Sequence, residues 1–197
     1  MAAVLERRSD KGWCMRSSTR EILNGSGRIL SAALLLGTVA AHAQSATSAK
    51  IEPTWLRADT TAKSVEFKLV AGLTGLNGGM NFNGFKKGGL NLTVPVGWKV
   101  VMHFKNEDPN LPHSVEVIAD TTSLPFGPLP AAFDQATSGK LEQGFSDGQG
   151  ADIRFLARKA GSYLIFCAVP GHGAAGMWIR LTVSAADKPT LATATER

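Results

Sequence analysis

Cysteine is almost absent from this sequence, which contains only Cys14 and Cys167 among its 197 residues. A fold held together by disulfides needs several cysteines at regular spacing, so that class of protein is excluded. A lone thiol in an oxidising compartment is readily oxidised unless it is buried or bound to a metal ion. Cys167 therefore needs a chemical explanation, whereas Cys14 lies in a segment that we expect the mature protein to lack.

Long hydrophobic runs are also lacking. The main apolar run, residues 29–41, is shorter than the roughly 18 residues that a membrane-spanning helix needs. Arginines precede this run, and the small-x-small pattern Ala41-His42-Ala43 follows it, as is typical of a cleaved signal peptide. We therefore predict a signal peptide over residues 1–43, with Met15 as an alternative start, and export to the periplasm or another extracytoplasmic compartment. An uncleaved segment would instead leave the protein anchored to a membrane.

Neither charge sign is in large excess. The whole chain has a net charge of +5, but residues 44–197 contain 15 basic and 13 acidic side chains, a net charge of +2. Nucleic-acid binding requires a clustered basic surface, which this composition does not provide. This mildly basic surface leaves the kind of protein partner open, and we expect a monomer that does not bind nucleic acid.

Helical periodicity is missing as well, whereas alternation of apolar and polar residues recurs along the chain. This pattern predicts an all-β fold, an antiparallel β-sandwich or barrel of about seven or eight strands. We expect a flexible lead-in over 44–61, one domain over 62–185 that includes a long loop at 120–151, and a disordered tail over 186–197. The predicted strands lie near residues 64–69, 90–96, 98–105, 114–118, 152–158, 162–167 and 177–183.

The most informative motif is Cys-x4-His-x4-Met, formed by Cys167, His172 and Met177 in one short, glycine-rich loop. A thiolate and an imidazole suit copper or zinc, and a weak axial thioether is typical of a blue-copper electron-transfer site. Such a site needs a second histidine. We favour His113, which follows a proline-containing turn, over His103, which alternates with the apolar side of its predicted strand. The sequence thus predicts one copper ion bound by His113, Cys167, His172 and Met177.

Other interpretations of the same residues remain open at this point. A buried cysteine is often only a small hydrophobic residue, and methionine is a common core filler. Cys167 and His172 are also compatible with a nucleophilic pair in an enzyme, and the copper site with a storage or delivery protein that carries no electrons. The enzyme predicts a reactive thiol, and the storage protein predicts exchangeable copper.

The segment from Asn106 to His113-Ser114-Val115, together with Cys167, His172 and Met177, resembles the cupredoxins, the type 1 blue copper proteins. Residues 81–84 (Asn-Phe-Asn-Gly) and 169–177 resemble the sulfocyanin branch more closely. The resemblance implies a Greek-key sandwich, a long and weak axial bond from Met177, and single-electron transport without enzymatic activity. Redox proteins of a respiratory or related chain are the expected partners, and the apolar residues around His172 indicate docking there.

Overall fold

The computed structural model describes residues 49–197, so the predicted signal peptide lies outside the described residues. The described part contains nine strands in two sheets, with strand orders β1-β2-β4-β6 and β5-β7-β8-β3-β9. Short 3-10 segments occur at Pro53–Trp55 and Leu76–Gly79. The strands are β1 Leu56–Asp59, β2 Ser64–Ala71, β3 Leu90–Pro95, β4 Lys99–Asn106, β5 Glu116–Ala119, β6 Gly150–Leu156, β7 Gly161–Phe166, β8 Trp178–Ser184 and β9 Thr190–Thr193.

Alternating burial along the strands produces the core between the two sheets. In β2 the apolar side chains of Val65, Phe67 and Leu69 are fully buried. The polar residues between them, Glu66 and Lys68, are exposed. The inward-facing buried residues of β2, β4 and β6 join those of β3, β7 and β8 in the main hydrophobic cluster. A smaller second cluster contains Ile118, Leu164, Phe166, Ala168 and Trp178. This arrangement confirms the all-β sandwich, because each sheet buries one face against the other.

Three details of the sequence-based prediction were wrong. Residues 56–59, expected to be flexible, form β1 and pair with β2, and residues 190–193, expected to be disordered, form β9 and pair with β3. Both strands have four residues and mostly exposed side chains, so neither shows apolar alternation. The total is therefore nine strands in residues 49–197 rather than seven or eight. The sheets are also mixed rather than purely antiparallel, because β2 pairs with β4, and β3 with β8, in parallel.

Strand register brings the start of β5, the end of β7 and the start of β8 together at one end of the sandwich. Glu116 at the start of β5 lies opposite Phe166 at the end of β7, and Phe166 lies opposite Trp178 at the start of β8. Residues just before β5, just after β7 and just before β8 must therefore meet. These positions hold His113, Cys167 and Met177. No helix in the described part of the chain is long and apolar enough to cross a membrane.

Candidate metal centre

Donor atoms of His113, Cys167 and His172 converge at this end of the sandwich, all within 4.8 Å of one another. The Sγ atom of Cys167 lies 3.9 Å from Nδ1 of His113 and 3.6 Å from Nδ1 of His172. The two Nδ1 atoms lie 3.2 Å apart. Within residues 49–197, no other set of three His, Cys, Asp or Glu side chains comes together in this way.

Met177 closes the loop that contains Cys167 and His172. The backbone N–H of Cys167 donates to the carbonyl oxygen of Met177 at 3.0 Å. The backbone N–H of Met177 donates to the carbonyl oxygen of His172, also at 3.0 Å. The side chain of Met177 is fully buried in the same cluster as Cys167. Gly173 makes this tight return possible, because a Cβ atom there would lie 2.6 Å from the ring of Phe166.

Burial controls the protonation of the free thiol. Cys167 is fully buried, and burial raises the pKa of its thiol from 9.0 to about 11, although hydrogen bonds from the backbone of Ser114 and Val169 act in the opposite direction. The N–H of Ser114 lies 3.4 Å from Sγ. The metal-free protein therefore holds a neutral, inaccessible thiol, and a bound cation is needed to stabilise the thiolate.

The two imidazoles are also kept neutral. Burial and the neighbouring His113 lower the pKa of His172 to about 4. Burial lowers the pKa of His113 as well, although the adjacent carboxylate of Asp108 opposes this shift. Neutral imidazole is the form that binds a metal ion. His172 is half-buried, whereas His113 and Cys167 are fully buried.

The chemistry of this donor set fits copper. Two neutral imidazole nitrogens and one sulfur face one another at 3.2–3.9 Å. A His2Cys set with a nearby methionine matches the blue-copper class, whereas structural zinc sites usually have four nitrogen or sulfur ligands of comparable strength. When the thiol is deprotonated and both Nδ1 atoms are acceptors, these three atoms repel one another unless a cation lies between them.

Two polar residues next to the ligands, Asn106 and Ser114, support the site in different ways. The Nδ2 of Asn106 donates to the carbonyl oxygens of Leu111 and Phe145, which fixes the turn before His113. The hydroxyl of Ser114 donates to the Leu141 carbonyl and accepts the N–H of Ala168, next to Cys167. His103 lies elsewhere, on the surface, where its Nδ1 is 2.7 Å from a carboxylate oxygen of Asp152.

The long loop between β5 and β6 covers the site, a role that the sequence did not indicate. Phe145 and His113 exchange both backbone hydrogen bonds, and the hydroxyl of Ser138 accepts the N–H of Val115. Near its other end, the carbonyl of Phe126 accepts the N–H of Gly171, the residue before His172. The Phe126 side chain is 73% exposed, the largest exposure among the large hydrophobic residues in 49–197.

Comparison with known proteins gives a consistent result. The Sulfocyanin (SoxE) domain matches residues 52–190. A sulfocyanin from Sulfolobus acidocaldarius is 32% identical over 111 residues, which cover 53% of this chain and 55% of that protein. The chain therefore spans about half the length of this curated relative.

Solved structures of blue copper proteins are more distant. The Met148Gln mutant of rusticyanin is 22% identical, with 70% of this chain and 87% of that chain covered and a TM-score of 0.49. Dithionite-reduced auracyanin from Roseiflexus castenholzii is 22% identical, with 65% and 99% covered and a TM-score of 0.46.

A two-sheet β-sandwich that brings two histidines and a cysteine together at one end, with a buried methionine closing the same loop, defines a cupredoxin with a single type 1 copper site. Within that class, the chain belongs to the sulfocyanin family, whose domain matches most of the described residues. Cupredoxins of this kind are electron carriers.

Proposed function

We propose that this protein carries single electrons between redox proteins of a respiratory or related chain, through one copper ion held by His113, Cys167, His172 and Met177. The observation that supports the proposal most strongly is the convergence of the His113, Cys167 and His172 donor atoms within 4.8 Å. Copper bound there supplies a one-electron Cu(II)/Cu(I) couple. Met177 would supply the fourth ligand, because it closes the loop of Cys167 and His172 through backbone hydrogen bonds to both.

The surrounding residues favour electron transfer over other chemistry. His113, Cys167 and Met177 are fully buried, so water and substrates have no direct access to them. The hydrogen bonds that hold Cys167, Asn106 and Ser114 fix the donors before the metal binds, which keeps structural change small when the charge changes. A neutral, buried thiol is also a poor nucleophile, which argues against the Cys167–His172 enzyme.

His172 provides the route for electrons to the surface. It is half-buried, whereas the neighbouring Ala174 and Ala175 are exposed. The exposed ring of Phe126 lies beside the backbone of Gly171, 3.4 Å from the position that a Cβ atom on Gly171 would occupy. These residues form an apolar surface next to His172, and we expect redox partners to dock on it briefly. We also expect an exported, periplasmic or extracytoplasmic location, with membrane attachment only if the N-terminal segment is retained.

The visible spectrum of the oxidised, copper-loaded protein tests the proposal. Wild type should show an intense thiolate-to-copper charge-transfer band that disappears on one-electron reduction and returns on oxidation. Cys167→Ser should abolish the band, whereas His103→Ala, which removes the surface histidine, should leave it unchanged. A colourless copper-loaded wild type with an alkylatable thiol would contradict the proposal. Copper that exchanges rapidly with a chelator would instead indicate storage or delivery.

A further inference from the structure

Asp108 is a buried acidic residue that the predicted ligand set does not include. It is 4% exposed and lies in the turn that leads to His113. Its Oδ2 atom is 3.2 Å from Nε2 of His113, the ring nitrogen remote from Cys167. Its Oδ1 atom accepts the backbone N–H groups of Asn110 and Leu111 at 2.9 and 3.2 Å. These two backbone N–H groups donate to the carboxylate, which favours its ionised form.

Two glycines from the β2–β3 connection shape the space around Asp108. A Cβ atom on Gly79 would overlap Oδ2 of Asp108, and one on Gly72 would overlap the Asp108 Cβ. Asn81 holds this connection in place, because its Nδ2 donates to the carbonyls of Thr74, Leu76 and Gly79. Asn81, the first residue of the 81–84 segment that resembles the sulfocyanins, thus supports the connection that packs against Asp108.

The hydrogen bond to Asp108 determines which nitrogen of His113 is free. A neutral imidazole has one donor and one acceptor nitrogen. An ionised carboxylate can only accept hydrogen bonds, so Nε2 is the donor to Asp108 and Nδ1 is left as the acceptor. Nδ1 is the atom that faces Cys167 and His172. A carboxylate in this position also makes the ring a more basic ligand.

We propose that Asp108 is a positioning residue that holds His113 in the metal-binding tautomer and, through its fixed negative charge, lowers the reduction potential of the site. Reduction adds one electron to the site and moves no proton, because Nε2–H stays on His113 and Asp108 stays ionised in both states. The oxidised site has one more positive charge, so a nearby buried anion stabilises it more than the reduced site. This inference rests on the proposed copper function.

Asp108→Asn tests the role of the charge, because it keeps the size of the side chain. Loss of an outer partner of a ligating histidine lowers metal affinity by roughly 10- to 100-fold, and we expect Cu(II) affinity to fall more than Cu(I) affinity. Each tenfold fall in that affinity ratio raises a one-electron potential by about 59 mV. Asp152→Asn is the matched control, because Asp152 accepts a hydrogen bond from the surface residue His103 and should change neither quantity.

Two further measurements test the inference without Asp108→Asn. Gly79→Ala retains the carboxylate but displaces it, so this variant should also lose Cu(II) affinity. In metal-free wild type, nitrogen NMR of the rings should show His113 protonated at Nε2. The inference is overturned if Asp108→Asn has the same reduction potential as wild type, or if NMR shows His113 of the metal-free protein protonated at Nδ1. Either result would leave the blue band of wild type, and so the proposed function, intact. If wild type lacks that band, the proposed function is wrong. The NMR measurement would then still show whether Nε2 of His113 donates a hydrogen bond to Asp108.

Discussion

Glu116 shows how a single buried group makes stability depend on pH. It lies at the start of β5, is 1% exposed, and accepts the N–H of Leu129 on Oε2 at 3.0 Å. No basic side chain in the described part of the chain forms an ion pair with it. Burial raises its pKa above the ordinary value of 4.5, although the hydrogen bond from Leu129 opposes this shift. The folded state therefore favours the protonated carboxyl group.

Glu116→Gln should remove this pH dependence. A raised folded-state pKa gives stability that is fully present below the unfolded pKa of about 4.5 and is lost as pH rises through the folded value. The variant should therefore gain stability relative to wild type near neutral pH and lose that advantage near pH 4.5. Urea unfolding of both proteins over this range measures the difference, and subtracting the curves cancels the contributions of the histidines. The exposed Glu142→Gln is the control, and a difference that does not vary with pH would contradict the prediction.

Individual residues of the site differ in how far the sequence could predict them. The ligand loop was predictable because Cys167, His172 and Met177 lie close together in the sequence and carry distinctive chemistry. Asp108 was not, because its partner is a ring nitrogen whose orientation depends on the three-dimensional turn. The segment Asp108-Pro109-Asn110 contains a weak signal for the orientation of Asp108. Asp in such a segment favours a turn in which the Asp side chain accepts a hydrogen bond from the backbone two residues later.

Among the secondary-structure elements, seven of the nine described strands were predictable, and β1 and β9, two edge strands with mostly exposed side chains, were not. Strands such as β2 and β4 bury every second side chain, so their sequences alternate. Strand β9 lies at the edge of its sheet and is held to β3 mainly by backbone pairing, which leaves little trace in the sequence. Leu191 is its one apolar anchor, because it packs partly buried against the core.

Stability measurements on Leu191→Ala distinguish the ordered strand β9 from the disordered tail that the sequence predicted for the same residues. If β9 is formed, the variant loses part of the burial energy of a leucine side chain, and stability should fall by about 1 kcal/mol. A disordered tail would give no change. Thermal unfolding of the metal-free protein provides the measurement, and Ala192→Ser, at an exposed position of the same strand, provides the control. Equal stability of wild type and Leu191→Ala would show that β9 is not formed in solution.

At the scale of the whole molecule, the ligand loop and the long β5–β6 loop meet to form the apolar surface on which we propose that redox partners dock. Phe126 from one loop and Ala174 and Ala175 from the other lie exposed next to half-buried His172. Ala174 also lines a surface depression with the exposed Lys87. The small net charge of residues 44–197 allows two copies to approach each other, so this surface can be tested without a known partner.

Ala174→Glu should slow electron self-exchange between oxidised and reduced copies of the protein. When two copies meet through the surface around His172, the variant places two carboxylates in an apolar contact, and like charges in an interface cost several kcal/mol. We expect the exchange rate, measured by NMR line broadening in mixtures of the two oxidation states, to fall at least about tenfold, equivalent to 1.4 kcal/mol. The blue band should not change. Ala192→Glu adds the same charge on β9, so an equal slowing in both variants would show that net charge, rather than docking at His172, controls the rate.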